Sequence, residues 1–192
     1  ARNGLVPDRW PSPGPSSIAA IGFGLTAYPI GVERGWITRA QARERTLTTL
    51  RFLHQLPTGE ARTGVAGHRG FFYHFLDMET GLRVGEIELS TVDTALMHMG
   101  MLFAAGWFDG TDDAERELRA LANDLVERAE WDWFQQGGDG IPMGWHPERG
   151  FIDRNWDGYN EGKLVALLAL GSSRHPGSAG TWNAWCAPYP RF

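Results

Sequence analysis

Two helical stretches that are apolar nearly all round, residues 90–107 and 159–171, constrain this chain more than anything else in it. A helix without a polar face must be covered on every side, so both belong to an inner layer surrounded by other elements. Each is entered from an aromatic, glycine-punctuated stretch. Each also carries a carboxylate in its predicted first turn, Asp93 in one and Glu161 in the other. Aligning residues 93–96 on residues 161–164 gives a period of 68 residues, 161 less 93. Self-similarity at such a period marks an array of like units.

The other helical patterns alternate with these two. After an irregular lead, 2–15, broken by Pro7, Pro11, Pro13 and Pro15, a first helix is capped by Ser16 or Ser17. It runs through Ile18, Ile21, Leu25 and Tyr28, and Pro29 ends or bends it. Gly22 and Gly24 each cost roughly 1 kcal/mol inside a helix, a cost that close packing or the close approach of a ligand would explain. Residues 38–56 form the clearest helix. Thr38 and Gln41 make a capping box, Leu47, Leu50, Phe52, Leu53 and Leu56 share a face, and Pro57 stops it. Residues 111–133 begin at a Thr-Asp-Asp cap and alternate charge with Leu118, Leu121, Leu125 and Val126, as an outer amphipathic helix does. An incomplete sixth helix holds Trp182 and Trp185. Residues 58–70 read as a Gly-rich loop. Residues 71–89 and 141–156 read as hairpins turning at Thr80-Gly81 and near Glu148-Arg149-Gly150.

Inner helices alternating with outer ones predict an all-α fold, an (α/α) toroid with short β-hairpin excursions at the inner-helix rim. Residues 1–192 form one domain on this reading. In such a toroid the inner helices run parallel and their N-termini collect on one rim, which sets Asp93 and Glu161 across from each other. About six helices make half of a six-pair (α/α)6 barrel, so a second half-domain or an oligomer is expected to close it.

Composition narrows the function. Nine Trp, ten Phe and four Tyr imply either a very aromatic core or a site lined with rings. The net charge of −5, without any Lys/Arg cluster, argues against a nucleic-acid partner. Cys186 is the sole cysteine, so no internal disulfide forms. No apolar run approaches the ~18 residues of a membrane span. His74, His98 and His146 are scattered and no H-E-x-x-H or Cys/His set is present, so neither a metal nor a cofactor is expected. Met97, Met99 and Met101 read as core filler.

Two carboxylates across an aromatic-lined cleft are what glycoside hydrolysis requires: one protonates the leaving oxygen, the other activates water or attacks the anomeric carbon. Each candidate also has a purely structural reading. Ser90-x-x-Asp93 resembles a capping box, and Glu161 falls in a first turn that Asp157 or Gly158 caps, where the helix dipole favours a carboxylate in any case. Trp156, Tyr159 and Asn160 strengthen the functional reading of Glu161 by placing a sugar-binding surface beside it. Glu86 and Glu88, two positions apart, share a face if extended, and one of them is then simply solvated.

The run from Gly4 to Ala42, then GFFYHFLDMETGLR, ELSTVDTALM and GYNEGKLVALLALGS, in this order, resembles the bacterial glucoamylase-like glycoside hydrolase family, which is related to β-1,2-glucanases. The resemblance covers nearly the whole chain. It implies an (α/α)6 toroid about twice this length, of which the chain is the N-terminal half. It also implies hydrolysis of a glucan or gluco-oligosaccharide, β-1,2-glucan favoured. The family's carboxylate before Thr-Ala corresponds to Asp93, where some relatives carry Glu, and its Tyr-Asn-Glu glutamate corresponds to Glu161. Its acidic residues ahead of the third helix correspond loosely to Glu86 and Glu88. The expected catalytic residues are therefore Glu161 and Asp93, with Glu88 third. The expected sugar contacts are Tyr73, His74, Glu86, Trp145, Trp156, Asp157, Tyr159 and Asn160. The expected partner is an oligosaccharide or polysaccharide, in the periplasm or outside the cell, with the cytoplasm left open. Two other readings stand beside this one: a non-catalytic glycan-binding or scaffold domain, and a transglycosylase or cyclase on the same fold.

Overall fold

The structure is a computed structural model and describes residues 2–11 and 14–188. Ser12 and Pro13 of the irregular lead lie outside the described residues. Strand β1 (Ser16–Ser17) runs straight into α1 (Ile18–Glu33), and α2 (Arg39–Gln55) follows. Four short strands, β2 (Gly67–His68), β3 (Phe71–Phe72), β4 (Phe75–Leu76) and β5 (Leu89–Ser90), lead into α3 (Thr91–Trp107). Then come α4 (Asp113–Glu127), α5 (Trp131–Gln135), β6 (Gly144–His146), β7 (Gly150–Phe151), α6 (Gly162–Gly171) and α7 (Thr181–Cys186). The chain is thus mainly helical. The apolar helices form one row, α1 against α3 and α3 against α6. A second layer covers it, with α2 on α1 and α4, α4 on α3, and α7 on α6.

Close contact of α1 with α3 explains one of the costly glycines. A Cβ on Gly22 would run into the Leu96 carbonyl oxygen, and one on Gly100 into the carbonyl oxygen of Gly22. The two backbones touch, which only glycine permits. Gly24 instead packs on Val6 of the lead.

Several helix ends differ from the sequence expectation. Ser17 stands at the N-cap of α1, but neither serine caps it through a side chain. The Ser16 hydroxyl donates to the Val6 carbonyl at 2.7 Å, and the Ile18 N–H donates to the His74 carbonyl at 3.1 Å. Pro29 does not end α1, which continues to Glu33. Leu25, Pro29 and Gly31 are all buried, so packing outweighs the loss of one helical hydrogen bond. The expected helix 111–133 divides into α4 and α5 because the turn between β2 and β3 presses on it. Arg69 and Gly70 there have φ of +50° and +80°. A Cβ on Gly70 would run into the Arg128 carbonyl, and the Glu130 N–H donates to the Arg69 carbonyl at 3.1 Å rather than continuing the helix. The loop expected at 58–70 therefore contains a strand, β2, paired antiparallel with β3. Thr38 and Gln41 do form a capping box at α2, and α6 begins at Gly162, three residues later than expected.

The strands gather where α1 and α3 begin. β4 pairs antiparallel with β1, and its return leg is held by bridges Leu76–Arg83 and Tyr73–Leu89. β6 pairs on one side with β5, Leu89 opposite Trp145, and on the other with β7, Trp145 opposite Phe151. One three-stranded sheet thus joins the stretch before α3 to the stretch before α6. Arg83 reinforces the joint. Its side chain is 1% exposed, and its guanidinium takes Glu148 at 2.7 and 3.0 Å in a two-pronged contact. It also donates to the Ile87 and Arg62 carbonyls and lies 4.4 Å over the Tyr73 ring.

Much of the aromatic content is core. Trp131, Tyr73, Phe71, Phe108 and Phe134 are fully buried, and Phe71 packs edge-on against Trp131 and Phe134. Other rings remain exposed, among them Trp10, Phe23, Trp36 and Tyr159.

Candidate active site

A backbone hydrogen bond between the residue before β4 and the residue before β5 brings three ionisable side chains together at the α3 mouth. The His74 N–H donates to the Glu88 carbonyl at 3.0 Å, which sets the two residues side by side. His74 Nδ1 then lies 2.8 Å from Glu88 Oε1, and its Nε2 lies 3.5 Å from Asp93 Oδ1. The Ser90 hydroxyl donates to Asp93 Oδ2 at 2.5 Å while accepting from the Asp93 N–H at 3.2 Å. The capping pattern read from sequence is therefore present at the backbone, yet one carboxylate oxygen of Asp93 still faces the imidazole. His74 is flanked on its other side by the Phe75 ring, stacked at 4.2 Å.

Electrostatics follow from this crowding. Burial by itself would lower the pKa of His74. The hydrogen bond to Glu88 and the charges of Asp93, Glu88 and Asp8 outweigh it and hold the imidazole above its ordinary value. Glu88 is pulled the other way: burial would raise it, but the hydrogen bond to His74 and the nearby charges of His74 and His146 hold it below the usual range. Imidazolium beside carboxylate is the favoured state. Glu86, two residues before Glu88, is exposed.

The second mouth is wired to the first through Thr91. The Trp156 indole N–H donates to Thr91 Oγ1 at 3.0 Å, and the Thr91 hydroxyl donates in turn to the Pro142 carbonyl at 2.9 Å. Trp156 is half-buried against the core. Asn160 does the capping expected of Asp157 or Gly158: its Oδ1 accepts from the Gly162 N–H at 3.0 Å and from the Trp185 indole at 3.2 Å. Its amide donates to the Asp157 carbonyl at 2.7 Å. Asp157, Tyr159, Asn160 and Glu161 are all exposed at this end, and Glu161 occupies the N-cap position of α6 without a side-chain cap bond.

One expected sugar contact is corrected. Tyr73 is wholly buried, with Arg83 over its ring, and offers no surface to a ligand. Its N–H donates to the Ala66 carbonyl at 3.0 Å and it bridges to Leu89, which holds it between two buried segments. Trp145 is half-buried, like Trp156, with its ring stacked on His68 at 5.4 Å and edge-on to Trp133 at 5.6 Å. Asp8, which influences His74, was not singled out from sequence. It stands in the proline-broken lead, where no periodicity marks it. Among the described residues no group of three His, Cys, Asp or Glu side chains could hold a metal ion, and no helix is long and apolar enough to cross a membrane.

No family model matches the chain. It is 30% identical over 159 residues to an exo β-1,2-glucooligosaccharide sophorohydrolase (non-reducing end) of Parabacteroides distasonis, covering 79% of this chain and 21% of that protein. Its fold superposes on a glucoamylase-like protein of Bacteroides uniformis with a TM-score of 0.86 at 29% identity, over 96% of this chain and 45% of the other. It superposes on a β-1,2-glucanase of Parabacteroides distasonis with a TM-score of 0.85 at 26% identity, over 97% and 27%. Sequence and fold together thus make this chain a relative of the glucoamylase-like and β-1,2-glucan-degrading proteins, of whose length it spans between 21% and 45%.

Proposed function

We propose that the protein carrying this chain is a glycoside hydrolase that cleaves a glucan or gluco-oligosaccharide, β-1,2-glucan above others, by carboxylate acid/base catalysis. The observation that carries the reading is the placement of carboxylates at two neighbouring inner-helix mouths. Asp93 and Glu88 converge on His74 at one, and Glu161 is exposed at the other, with the Trp156–Thr91 bond joining them. Glu161 and Asp93 serve as the acid/base pair, with Glu88 as the third acidic group. Trp156, Asp157, Tyr159 and Asn160 form the sugar-facing rim, and Glu86 lies at its edge. The printed activities of the relatives, a sophorohydrolase and a β-1,2-glucanase, support the choice of linkage.

The same reading makes the chain three helical pairs of an (α/α)6 toroid, with hairpins on the rim. Phe23 and Ile30 of α1, Met99 and Phe103 of α3, and Leu167 and Leu170 of α6 expose apolar surface on the row of inner helices. In a closed toroid the inner helices of a second half-domain cover such a row, and the B. uniformis chain has the length for it, since this chain spans 45% of it.

The test is hydrolysis of linear β-1,2-glucan, β-1,3-glucan and maltooligosaccharides by the protein carrying this chain and by its Glu161→Gln variant. Cleavage of β-1,2-glucan, abolished or cut by about 10² or more in the variant, is the expected result. Unchanged turnover in Glu161→Gln removes that residue from the mechanism. Binding of glucan without product favours the glycan-binding reading, and longer or cyclic products favour the transglycosylase.

A further inference from the structure

We propose that His74 is a positioning residue: it bridges Glu88 and Asp93 and fixes the two carboxylates relative to each other at the α3 mouth, instead of contacting sugar directly. The inference rests on the reading of this mouth as part of a catalytic cleft.

Geometry comes first. Glu88 belongs to an extended segment and Asp93 to the first turn of α3, so backbone structure alone does not fix one carboxylate against the other. His74 touches both, through Nδ1 at 2.8 Å and Nε2 at 3.5 Å. The ring is held by the main-chain bond to Glu88 and by the stacked Phe75 ring. A neutral imidazole donates from one nitrogen only, whereas the imidazolium donates from both. Two carboxylates on one ring therefore select the charged form. Without the cation between them, Glu88 and Asp93 would repel, and one would tend to take up a proton.

The charged groups around the bridge come from four elements. Glu88 lies just ahead of β5, Asp93 on α3, Asp8 on the N-terminal lead, and His146 on β6, where it faces Glu88. Three of the four are acidic. Burial and Arg149 keep His146 below its ordinary value, so it is largely neutral near pH 7 and does not compete for the carboxylates. Among the described residues His74 is the one within ion-pair distance of both Glu88 and Asp93. Its side chain is 28% exposed, with Nδ1 hydrogen-bonded to Glu88 and Nε2 within ion-pair distance of Asp93.

The first experiment needs no turnover. Imidazole nitrogen shifts of His74, followed by NMR against pH in the protein carrying this chain, are expected to show an apparent pKa above the ordinary histidine range. Glu88→Gln and Asp93→Asn should each lower it, Glu88→Gln by more because it takes the charge from the nearer, hydrogen-bonded partner. A His74 that titrates normally and ignores both substitutions overturns the bridge.

The second experiment reads catalysis on β-1,2-glucan. His74→Gln is expected to reduce kcat by about tenfold or more, to change KM little, and to shift the acidic and alkaline limbs of the pH profile. His74→Asn, whose amide can still reach Glu88, is expected to recover part of kcat. A raised KM with unchanged kcat and pH profile makes His74 a sugar contact and refutes the proposal. If the unmodified protein cleaves no glucan, the hydrolase reading fails, while the NMR titration still decides whether the bridge exists. Circular dichroism of both variants separates misfolding from a catalytic effect.

Discussion

His98 offers the sharpest check on the described core. It sits on α3, fully buried, with neither ring nitrogen hydrogen-bonded among the described residues. Burial pushes its pKa from 6.5 down to about 4. In the unfolded chain the imidazole returns to its ordinary value. Between pH 6.5 and 4 the unfolded state therefore binds a proton that the folded state refuses, and stability falls as the pH drops through that window. Below about pH 4 the loss is complete. At about 1.4 kcal/mol per pH unit, the full window is worth about 3 kcal/mol, a large share of the ~5–15 kcal/mol that holds a typical domain together.

His98→Leu removes both the titration and the two unpartnered nitrogens. Urea denaturation of the unmodified protein and the variant at pH 7 and pH 4.5 tests the argument. The unmodified protein should lose about 2–3 kcal/mol more than the variant between those two pH values, a difference of about 1 M or more in midpoint. His68 and His146, both lowered chiefly by burial, add losses of the same sign, and His74, raised, adds one of opposite sign. Those contributions are common to both proteins and drop out of the difference. Equal losses in the two proteins would show that His98 is hydrated or hydrogen-bonded, and the reasoning would be wrong.

Arg83→Leu leaves Glu148 and two backbone carbonyls without their donor and should lower the midpoint of thermal or urea unfolding. Removing Glu148 as well, in Arg83→Leu/Glu148→Leu, should restore part of that loss. Gly100→Ala forces α1 and α3 apart and should cost about 1–3 kcal/mol, whereas Gly106→Ala on the same helix, with open space around it, should be neutral or slightly stabilising. Glu115, 2% exposed at its side chain, is held below the usual carboxylate range chiefly by its hydrogen bond to Arg39 and also by the Gly110 N–H. Its stabilising contribution is present above the ordinary Glu range and fades as pH falls through its lowered pKa. Glu115→Gln should therefore unfold at lower temperature at pH 7 and differ less from the unmodified protein at acid pH.

The helical layers were legible because apolarity all round, at 90–107 and 159–171, can be satisfied only inside. The capping box at Thr38 was legible because its chemistry is local. What escaped was set by distant partners. Pro29 fails to stop α1 because the surrounding turn is buried, and α4 breaks where a turn 60 residues earlier in the chain takes the Glu130 N–H. At the candidate site, sequence singled out the carboxylates but did not show how the structure arranges them. The capping and functional readings of Asp93 were set against each other, yet its backbone N–H satisfies one while its side-chain oxygen is available for the other. Tyr73 looked like a sugar platform because composition does not tell which side of a strand faces in. Asp8 had no pattern to announce it.

The sheet that joins Leu89 to Trp145 and Trp145 to Phe151 has a consequence for mutational scanning. A screen that scores only loss of activity takes each position to act where it sits. Here a change at Glu148 would release Arg83, loosen the shared sheet and let Glu88 drift, although Glu148 stands outside the proposed sugar rim. Such a screen would draw the proposed active site larger than it is and extend it along the second hairpin. Scoring abundance alongside activity would shrink that map back to the proposed sugar rim.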